Sequence, residues 1–308
     1  MSKSIITIFG PTASGKTSLA IYLAQKLNGV IVNADSRQVY KNMPIITAMP
    51  SKEEFAAADH RLFDFLEIDE KISVEKYVQL AKAEVEKIWR DGKLPILCGG
   101  TGFYLKTLEE GISPVPSLPE DLFNDLNTRL ETEGLAPLYD ELKNVDLEIA
   151  DKLKAGDTQR ILRALGVWLH TGQPMSKLQK LPKSGGLDAR FVKLAISPER
   201  EWLYNRIHKR YDVMENMGLV DEVKNVRAMG YTTESHAVQS CGVKDYYNFL
   251  DGHITLDEAK TALLQSTRNY AKRQFTWIRG QYNADLTFTT SAQGEKSVME
   301  IRQLLKNK

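Results

Sequence analysis

The sequence has little cysteine, no long apolar run and almost no net charge. Its 308 residues include only two cysteines, Cys98 and Cys241, which exclude a disulfide framework and a four-cysteine zinc site. The amino terminus lacks the features of a secretory signal, and no stretch is long and apolar enough to cross a bilayer. These absences predict a cytoplasmic protein without a membrane anchor. The formal net charge of +1 gives no global attraction to nucleic acid, so RNA binding would need local basic patches.

Strand-like and helix-like segments alternate in the first third of the chain. The strand candidates are 4–9, 29–33, 94–98 and 191–197, with a weaker candidate at 63–68 and an edge candidate at 286–289. Helices are expected at 17–27, 73–90, 198–229 and 255–280. The strongest strand candidates are apolar on both faces, as buried parallel strands are. The alternation predicts an α/β fold, a P-loop NTPase-like parallel sheet with helices on both faces.

The composition changes in the middle of the chain. Residues 112–119 are rich in proline and serine, and 120–180 show helical periodicity without a clear strand. Residues 183–186 have the composition of a linker. We therefore expect an inserted all-helical domain at 112–189, which splits an α/β core formed by 1–111 and 190–308.

Residues 10–17 match the phosphate-binding pattern G-x-x-x-x-G-K-[ST] between a predicted strand and a predicted helix. They are Gly10, Pro11, Thr12, Ala13, Ser14, Gly15, Lys16 and Thr17. In such loops, backbone N–H groups and the helix amino terminus face the anion. Lys16 is expected to reach terminal phosphate oxygens, and the Thr17 hydroxyl to help hold Mg²⁺. The pattern recognises phosphate alone, so it leaves open whether the ligand is ATP or another diphosphate.

Asp35 follows the second strand candidate, where the carboxyl ends of parallel strands form a ligand crevice. A carboxylate there can take a proton from a nucleophile or reach Mg²⁺ through water, although this position also suits a helix cap. The turn at 99–102 contains three glycines and follows another strong strand candidate. We expect its glycines to let a ligand approach the backbone, but a plain turn has the same composition.

Several stretches together resemble the tRNA dimethylallyltransferases, or IPP transferases, in that family's order. They are GPTASGKT at 10–17, ADSRQVY at 34–40, GGTGFYLK at 99–106, DTQRILRAL at 157–165, residues 206–219 and AKRQFTWIR at 271–279. The resemblance implies that dimethylallyl diphosphate donates its prenyl group to tRNA, with Mg²⁺ as cofactor. The acceptor would be the N6 amine of the adenosine 3′ to the anticodon, in tRNAs that read codons beginning with U.

The same resemblance implies roles for individual residues. Asp35 matches the family's general base, and Thr101 matches a residue near the leaving oxygen or the target nucleotide. Lys16 and Arg210 would stabilise the negative charge of the departing diphosphate. These four residues are the implied catalytic set.

The resemblance further implies a monomer that binds the anticodon stem-loop. The implied RNA contacts are Asp35, Ser36, Arg37, Gln38, Thr101, Phe123, Gln159, Arg160, Ile161, Leu162, Arg163, Lys272, Arg273 and Arg279. On spacing alone, Arg160 and Arg163 equally fit a solvated helix face. Arg268 falls on one helical face with Lys272 and Arg279, which predicts a basic stripe. Tyr270 and Trp277 fall on another face and are expected to pack in the core.

Two other functions remain open at this point, a small-molecule kinase and an adenylate (AMP/ADP) isopentenyltransferase. Arg160 and Arg163 could imitate the arginine lid of a kinase, whereas a long helical insertion favours an RNA substrate over a mononucleotide. A non-enzymatic RNA-binding module leaves the phosphate loop unexplained. The chain departs from the usual family pattern at 46–50, Phe123 and 241–245, and we expect these departures to affect RNA contacts rather than the reaction.

Overall fold

The computed structural model describes residues 3–306 and divides them into two compact units. The sheet unit runs up to Glu109 and resumes at Leu187, and the helical unit comprises Glu110–Gly186. The insertion expected from the sequence, 112–189, begins and ends slightly later along the chain than this helical unit does.

The sheet unit contains a six-stranded sheet in which every strand pair is parallel. The strands are β1 (Ser4–Phe9), β2 (Gly29–Asn33), β3 (His60–Arg61), β4 (Leu94–Gly99), β5 (Arg190–Ile196) and β6 (Leu286–Phe288). They lie in the order β3-β2-β4-β1-β5-β6. The neighbouring strands β2, β4 and β1 therefore end at the same edge of the sheet. The predicted parallel α/β fold is confirmed.

The helices follow the chain in three groups. The first group is α1 (Lys16–Leu27), α2 (Lys52–Ala57), α3 (Val74–Arg90) and α4 (Gly102–Glu110). The helical unit holds α5 (Glu120–Glu133), α6 (Leu135–Val145), α7 (Leu147–Ala150), α8 (Thr158–Thr171) and α9 (Met175–Gln179). The last group is α10 (Arg200–Asn216), α11 (Leu219–Ala228), α12 (His236–Ser240), α13 (Val243–Leu250), α14 (Leu256–Gly280), α15 (Ser291–Lys296) and α16 (Val298–Lys306). The sequence analysis did not predict α2, α4, α12, α13, α15 or α16.

Side chains of β1 are buried on both faces of the sheet. Ile5 and Phe9 pack in a cluster with α3 and α4, whereas Ile6 and Ile8 pack in a second cluster with α1 and α16. Because successive strand residues point to opposite faces, this apolar run requires cover on both sides. The prediction of helices on both faces is confirmed.

A third apolar cluster joins α10, α11, α13 and α14 to the loop that follows β2. It contains a buried hydrogen bond of 2.8 Å between the hydroxyls of Tyr211 and Tyr246. α14 begins at a capping box, in which Thr255 and Glu258 each bond the other's backbone N–H. This cluster brings α10 and α14, which are distant in sequence, against the loops at the carboxyl edge of the sheet.

The strand predicted at 63–68 was wrong. The edge strand is the short β3, and in the predicted segment only Leu66 makes an isolated bridge, to Tyr40. Leu62 and Asp64 adopt left-handed backbone angles, with φ of 61° and 52°. Extended pairing cannot continue through such residues, so apolar composition alone misidentified the segment.

The helical unit forms its own core around α8. Ile161, Leu162, Ala164 and Leu165 are buried there against α5, α6 and α9. Gly166 allows close packing, because a Cβ at that position would meet the side chains of Leu118 and Leu126. Throughout residues 3–306, the helices fall short of the length and apolarity that crossing a membrane requires.

Candidate active site

The phosphate loop connects β1 to α1 and has two left-handed residues. Gly15 has a φ of 95°, where a side chain would be strained, and Ala13 has a φ of 64° despite its Cβ. Holding a non-glycine residue there costs roughly 1–3 kcal/mol, and such strain is typical of functional loops. The Ser14 hydroxyl is buried and has no hydrogen-bond partner among the described residues. The backbone is therefore shaped for the anion cradle that the sequence predicts.

Three cations lie around this loop. Lys16 Nζ donates to the carbonyl oxygen of Pro11 at 2.9 Å, and Arg206 Nε donates to that of Ala13 at 2.9 Å. Arg210 Nη1 donates to the Thr12 hydroxyl at 3.2 Å. These contacts place the predicted residues Lys16 and Arg210 together at the loop. They also add Arg206, to which the sequence analysis gave no role.

Lys16 and Arg210 are half-buried without matching acids, whereas Arg206 is exposed. Burial lowers the pKa of Lys16 below its ordinary value, and burial followed by the nearby Arg206 lowers the pKa of Arg210. None of the three forms a salt bridge with a carboxylate among residues 3–306. Buried positive charge is costly unless an anion compensates it, so this part of the structure suits a polyanionic ligand.

Asp35 is fixed in the turn after β2. Its backbone N–H donates to Asn33 Oδ1 at 2.9 Å, and its Oδ1 accepts from the N–H of Arg37 at 3.0 Å. Asn33 is itself tied to the carbonyl oxygens of Asp35 and Leu62 through Nδ2. Asp35 does not cap a helix. Its carboxylate and Lys16 line the same cavity, as the sequence analysis expected.

Thr101 lies behind the Asp35 turn. Its hydroxyl accepts from the N–H of Ser36 at 2.9 Å and donates to the Ser36 hydroxyl at 3.1 Å, while its N–H donates to Ala34 at 3.1 Å. Thr101 is not among the described residues that line the cavity. The structure therefore shows it supporting the turn, and a direct contact with the nucleotide stays a prediction.

The glycines at 99–102 accommodate protein, which corrects the expectation that they make room for a ligand. A Cβ at Gly99 would overlap the backbone of Ala34, and one at Gly102 would overlap the Trp277 ring. Gly100 is packed equally closely. The motif therefore lets β4 and α14 approach the Asp35 turn, a requirement that arises from tertiary packing.

Tyr270 belongs to the site, although its helical spacing predicted a core position. Its ring is half-buried, lines the cavity and stacks under the guanidinium of Arg37 at 4.3 Å. Arg273 lies on the same ring at 5.6 Å. Trp277, which was also predicted to be core, does pack in the cluster with α3 and α4.

The cavity has a volume of about 640 Å³, within the usual range for small-ligand sites. Along α10 and its cap residue Met217, the lining residues change from Arg206 and Arg210 to Val213, Met214 and Met217. These positions share one helix face, and residues advance about 1.5 Å each along a helix. The cavity thus offers cations for an anionic group and, about 10 Å along the helix, an apolar wall.

Comparison with known proteins identifies the family. The sequence model described as "IPP transferase" matches residues 38–281. The chain is 41% identical over 295 residues to the tRNA dimethylallyltransferase of Rickettsia felis, covering 95% of each chain. The chain belongs to the IPP transferase family.

Solved structures agree with this assignment. The full-length tRNA isopentenylpyrophosphate transferase of Bacillus halodurans is 33% identical, with a TM-score of 0.71 and coverage of 98% of this chain and 95% of its own. A eukaryotic dimethylallyltransferase acting on tRNA is 29% identical, with a TM-score of 0.78 and coverage of 98% and 78%. The resemblance drawn from the sequence is confirmed.

In this member of the IPP transferase family, the predicted RNA contacts of the helical unit fall into two groups. Gln159 and Arg160 are exposed on α8, and Phe123 is 48% exposed on α5. Ile161 and Leu162 are 0% and 5% exposed, so their side chains pack inside the unit. The amphipathic helix directs these two side chains into the core, so they are not available to RNA, and a contact through the backbone at these positions stays a prediction.

The remaining predicted contacts are basic. Arg163 donates to the carbonyl oxygen of Pro116, which ties it to its own unit. Lys272, Arg273 and Arg279 are exposed on α14, and Lys272 and Arg279 belong to the predicted basic stripe. Arg268, the third member of that stripe, is half-buried between His208 and the Tyr204 ring.

The residues around the phosphate loop fit a Mg²⁺ that arrives with its phosphate ligand. No group of three or more acidic, histidine or cysteine side chains within residues 3–306 could hold a metal by itself. Thr17 is one of the residues that line the cavity. Mg²⁺ commonly takes one or two protein oxygens and completes its shell with phosphates and water, so this donor set suffices.

The departures from the family pattern lie in three different environments. Ile46 and Met49 line the cavity, so they bear on its shape rather than on the RNA surface. Val243 is buried in the cluster of α10–α14, whereas Phe123 is exposed. Of these four residues, only Phe123 lies on the exposed surface of the helical unit, and its contact with RNA stays a prediction.

Proposed function

We propose that this protein transfers a dimethylallyl group from dimethylallyl diphosphate to tRNA. The acceptor is the N6 amine of the adenosine 3′ to the anticodon, in tRNAs that read codons beginning with U. The second product is diphosphate. One observation carries the proposal: unpaired cations, a carboxylate and an apolar wall line a single cavity.

The cations suit the leaving group. The phosphate loop, Lys16, Arg206 and Arg210 would hold the diphosphate, whose negative charge grows as its bond to the allylic carbon breaks. Because these groups are already in position, and Lys16 and Arg210 are partly desolvated, they stabilise that charge with little reorganisation. The apolar wall of Val213, Met214 and Met217 suits the hydrocarbon part of the donor.

Asp35 suits the acceptor side. An exocyclic adenine amine is a weak nucleophile, because its lone pair is delocalised into the ring. As the C–N bond forms, the amine must lose a proton, and the Asp35 carboxylate is the acceptor we assign. The C–O bond to diphosphate breaks in the same step, so one new bond replaces one broken bond.

Mg²⁺ supports this chemistry by neutralising diphosphate charge when it is bound. The Thr17 hydroxyl would be its protein ligand. This chain's own cations orient the diphosphate.

RNA recognition would use the exposed residues. Adenosine has to leave the anticodon-loop stack to meet the half-buried Asp35 carboxylate, which costs a few kcal/mol. We propose that Phe123, Gln159 and Arg160 of the helical unit contact the stem-loop, together with the Arg37–Gln38 turn and the exposed cations of α14. Single-stranded loops are the usual targets of such base-specific recognition.

The test offers labelled dimethylallyl diphosphate with either undermodified tRNA or AMP, and offers ATP with tRNA in a parallel reaction. We expect label in an anticodon-loop adenosine of tRNA and none in AMP. Label in AMP alone would indicate an adenylate isopentenyltransferase. Consumption of ATP without prenyl transfer would indicate a kinase.

A further inference from the structure

A buried amide on α14 connects two turns of the candidate active site. Gln274 is 3% exposed. Its Oε1 accepts from the backbone N–H of Thr12 at 2.8 Å, and its Nε2 donates to the carbonyl oxygen of Gly100 at 2.9 Å. Thr12 lies in the phosphate loop after β1, and Gly100 lies in the turn after β4. The oxygen and the nitrogen of one side-chain amide therefore each form a hydrogen bond, and the two bonds go to different turns.

The contact at Gly100 reaches the Asp35 turn. A Cβ at Gly100 would overlap the Gln274 amide and lie 3.0 Å from Asp35 Oδ2, so the three groups are closely packed. The next residue, Thr101, bonds the backbone on either side of Asp35. Tyr270, one turn earlier on α14, donates to the same Gly100 carbonyl at 3.3 Å. The position of Gly100 therefore helps to set the position of the carboxylate.

The contact at Thr12 reaches the cations. The hydroxyl of Thr12 accepts from Arg210, while its N–H is held by Gln274. Thr12 lines the cavity, whereas Gln274 is not among the described residues that do. Gln274 therefore acts on a ligand only through the groups that it holds.

We propose that Gln274 is a positioning residue that fixes the phosphate loop relative to the Asp35 turn. The phosphate loop must stabilise the departing diphosphate while Asp35 accepts the proton of the amine. The two turns therefore have to keep a constant separation. A single buried side chain bonded to both turns provides that constraint, because neither bond can lengthen without leaving a buried polar group unpaired. The inference rests on the proposed function where it concerns turnover.

Gln274→Met removes both hydrogen bonds and nearly preserves volume. The control is Gln265→Met, since Gln265 is exposed on the same helix and bonds only Asn269. For Gln274→Met we expect the affinity for inorganic diphosphate to fall by about two- to tenfold, because the loop loses one ordered bond. We expect kcat to fall by about ten- to a hundredfold, while KM for tRNA stays within about twofold. Gln265→Met should match the wild type.

Gln274→Glu gives a second, pH-dependent test. When protonated, its carboxyl offers the same acceptor and donor as the amide. When ionised, the carboxylate has no proton to donate to the Gly100 carbonyl oxygen, and it lies near the negative charge of Asp35. Arg210, which donates to the hydroxyl of Thr12, partly offsets this repulsion. The ratio of this variant's diphosphate affinity to that of the wild type should therefore rise as pH falls from about 8 to about 6. Taking the ratio cancels the titration of diphosphate itself.

These measurements separate the two proposals. Wild-type affinity and kcat in folded Gln274→Met would overturn the positioning role. If that variant does not fold, the Gln274→Glu ratio decides, and a ratio that stays flat across pH overturns it. A wild type that binds diphosphate but prenylates no tRNA would contradict the proposed function. The measurements of diphosphate affinity would still test the role of Gln274.

Discussion

The two units present their predicted functional residues in opposite ways. In the sheet unit, Lys16, Asp35 and Arg210 are half-buried or buried, and backbone or side-chain hydrogen bonds constrain their surroundings. In the helical unit, Arg160 is 72% exposed along its side chain and makes one ion pair of 3.5 Å, with Asp157. Bond making requires fixed and desolvated groups, whereas contact with a flexible, hydrated RNA backbone does not. Changes in the sheet unit should therefore alter turnover strongly, and changes in the helical unit should alter RNA affinity mildly.

The largest effect is expected for Asp35→Ala. Removing the proton acceptor should lower kcat by about two to four powers of ten. Affinity for inorganic diphosphate, measured by calorimetry, should change little. Asp35→Asn keeps the shape of the side chain and should be nearly as slow. Normal turnover in either variant would remove Asp35 from the proposed mechanism.

Lys16→Met should have the next largest effect, on ligand binding. A hydrogen bond to a charged group contributes about 1.5–3 kcal/mol, so diphosphate affinity should fall by roughly ten- to 150-fold. Lys52→Met is the matched control, because Lys52 lines the same cavity but is exposed. Equal losses in the two variants would mean that only the net charge of the cavity matters.

Much of this site could be predicted from the sequence because it is local. The phosphate loop is one contiguous segment, and Asp35 directly follows a recognisable strand. Arg206, Tyr270 and Gln274 come from helices far along the chain, and only the packing of α10 and α14 brings them to the loop. Arg206 and Gln274 lie in stretches that resemble the family, but a motif does not state which atoms its residues contact, so these contacts were not predicted.

The opposite error occurred in the helical unit. A family motif covers 157–165, but half of any amphipathic helix faces its own core. Ile161 and Leu165, spaced by one turn, mark the buried face of α8. Helical phase would have assigned Ile161 to the core together with Leu165, but it does not separate Arg160, which lies within about 40° of the buried Ala164. The resemblance identifies a segment, and periodicity is needed to select its side chains.

Glu222 allows the constrained groups of the sheet unit to be tested by measuring the free energy of unfolding. This carboxylate is 8% exposed and accepts from the N–H groups of Ile45 and Ile46, which line the cavity. Glu222→Ala leaves both N–H groups unpaired, so the free energy of unfolding should fall by about 1–3 kcal/mol at neutral pH. Asp221→Ala, one residue earlier on α11 and exposed, should cost much less.

The pH dependence of the same site has a definite sign. Burial raises the pKa of Glu222, and its two backbone hydrogen bonds oppose that shift. A raised folded-state pKa contributes stability below the unfolded-state value, and that contribution is lost as pH rises through the folded-state value. Denaturant titrations should therefore show the wild type losing stability relative to Glu222→Gln as pH rises. The reverse slope would mean that the backbone bonds dominate.

The smallest effect is expected for Arg160→Ala in the helical unit. If Arg160 contacts one phosphate, KM for tRNA should rise only a few-fold and the salt dependence of binding should weaken by about one unit of slope. Arg129→Ala is the control, because Arg129 is already bonded to Glu133 and Glu141 and has little capacity for phosphate. A loss of kcat in Arg160→Ala, at saturating tRNA, would contradict the division between the units. It would show that the exposed end of α8 contributes to the chemical step and not only to holding RNA.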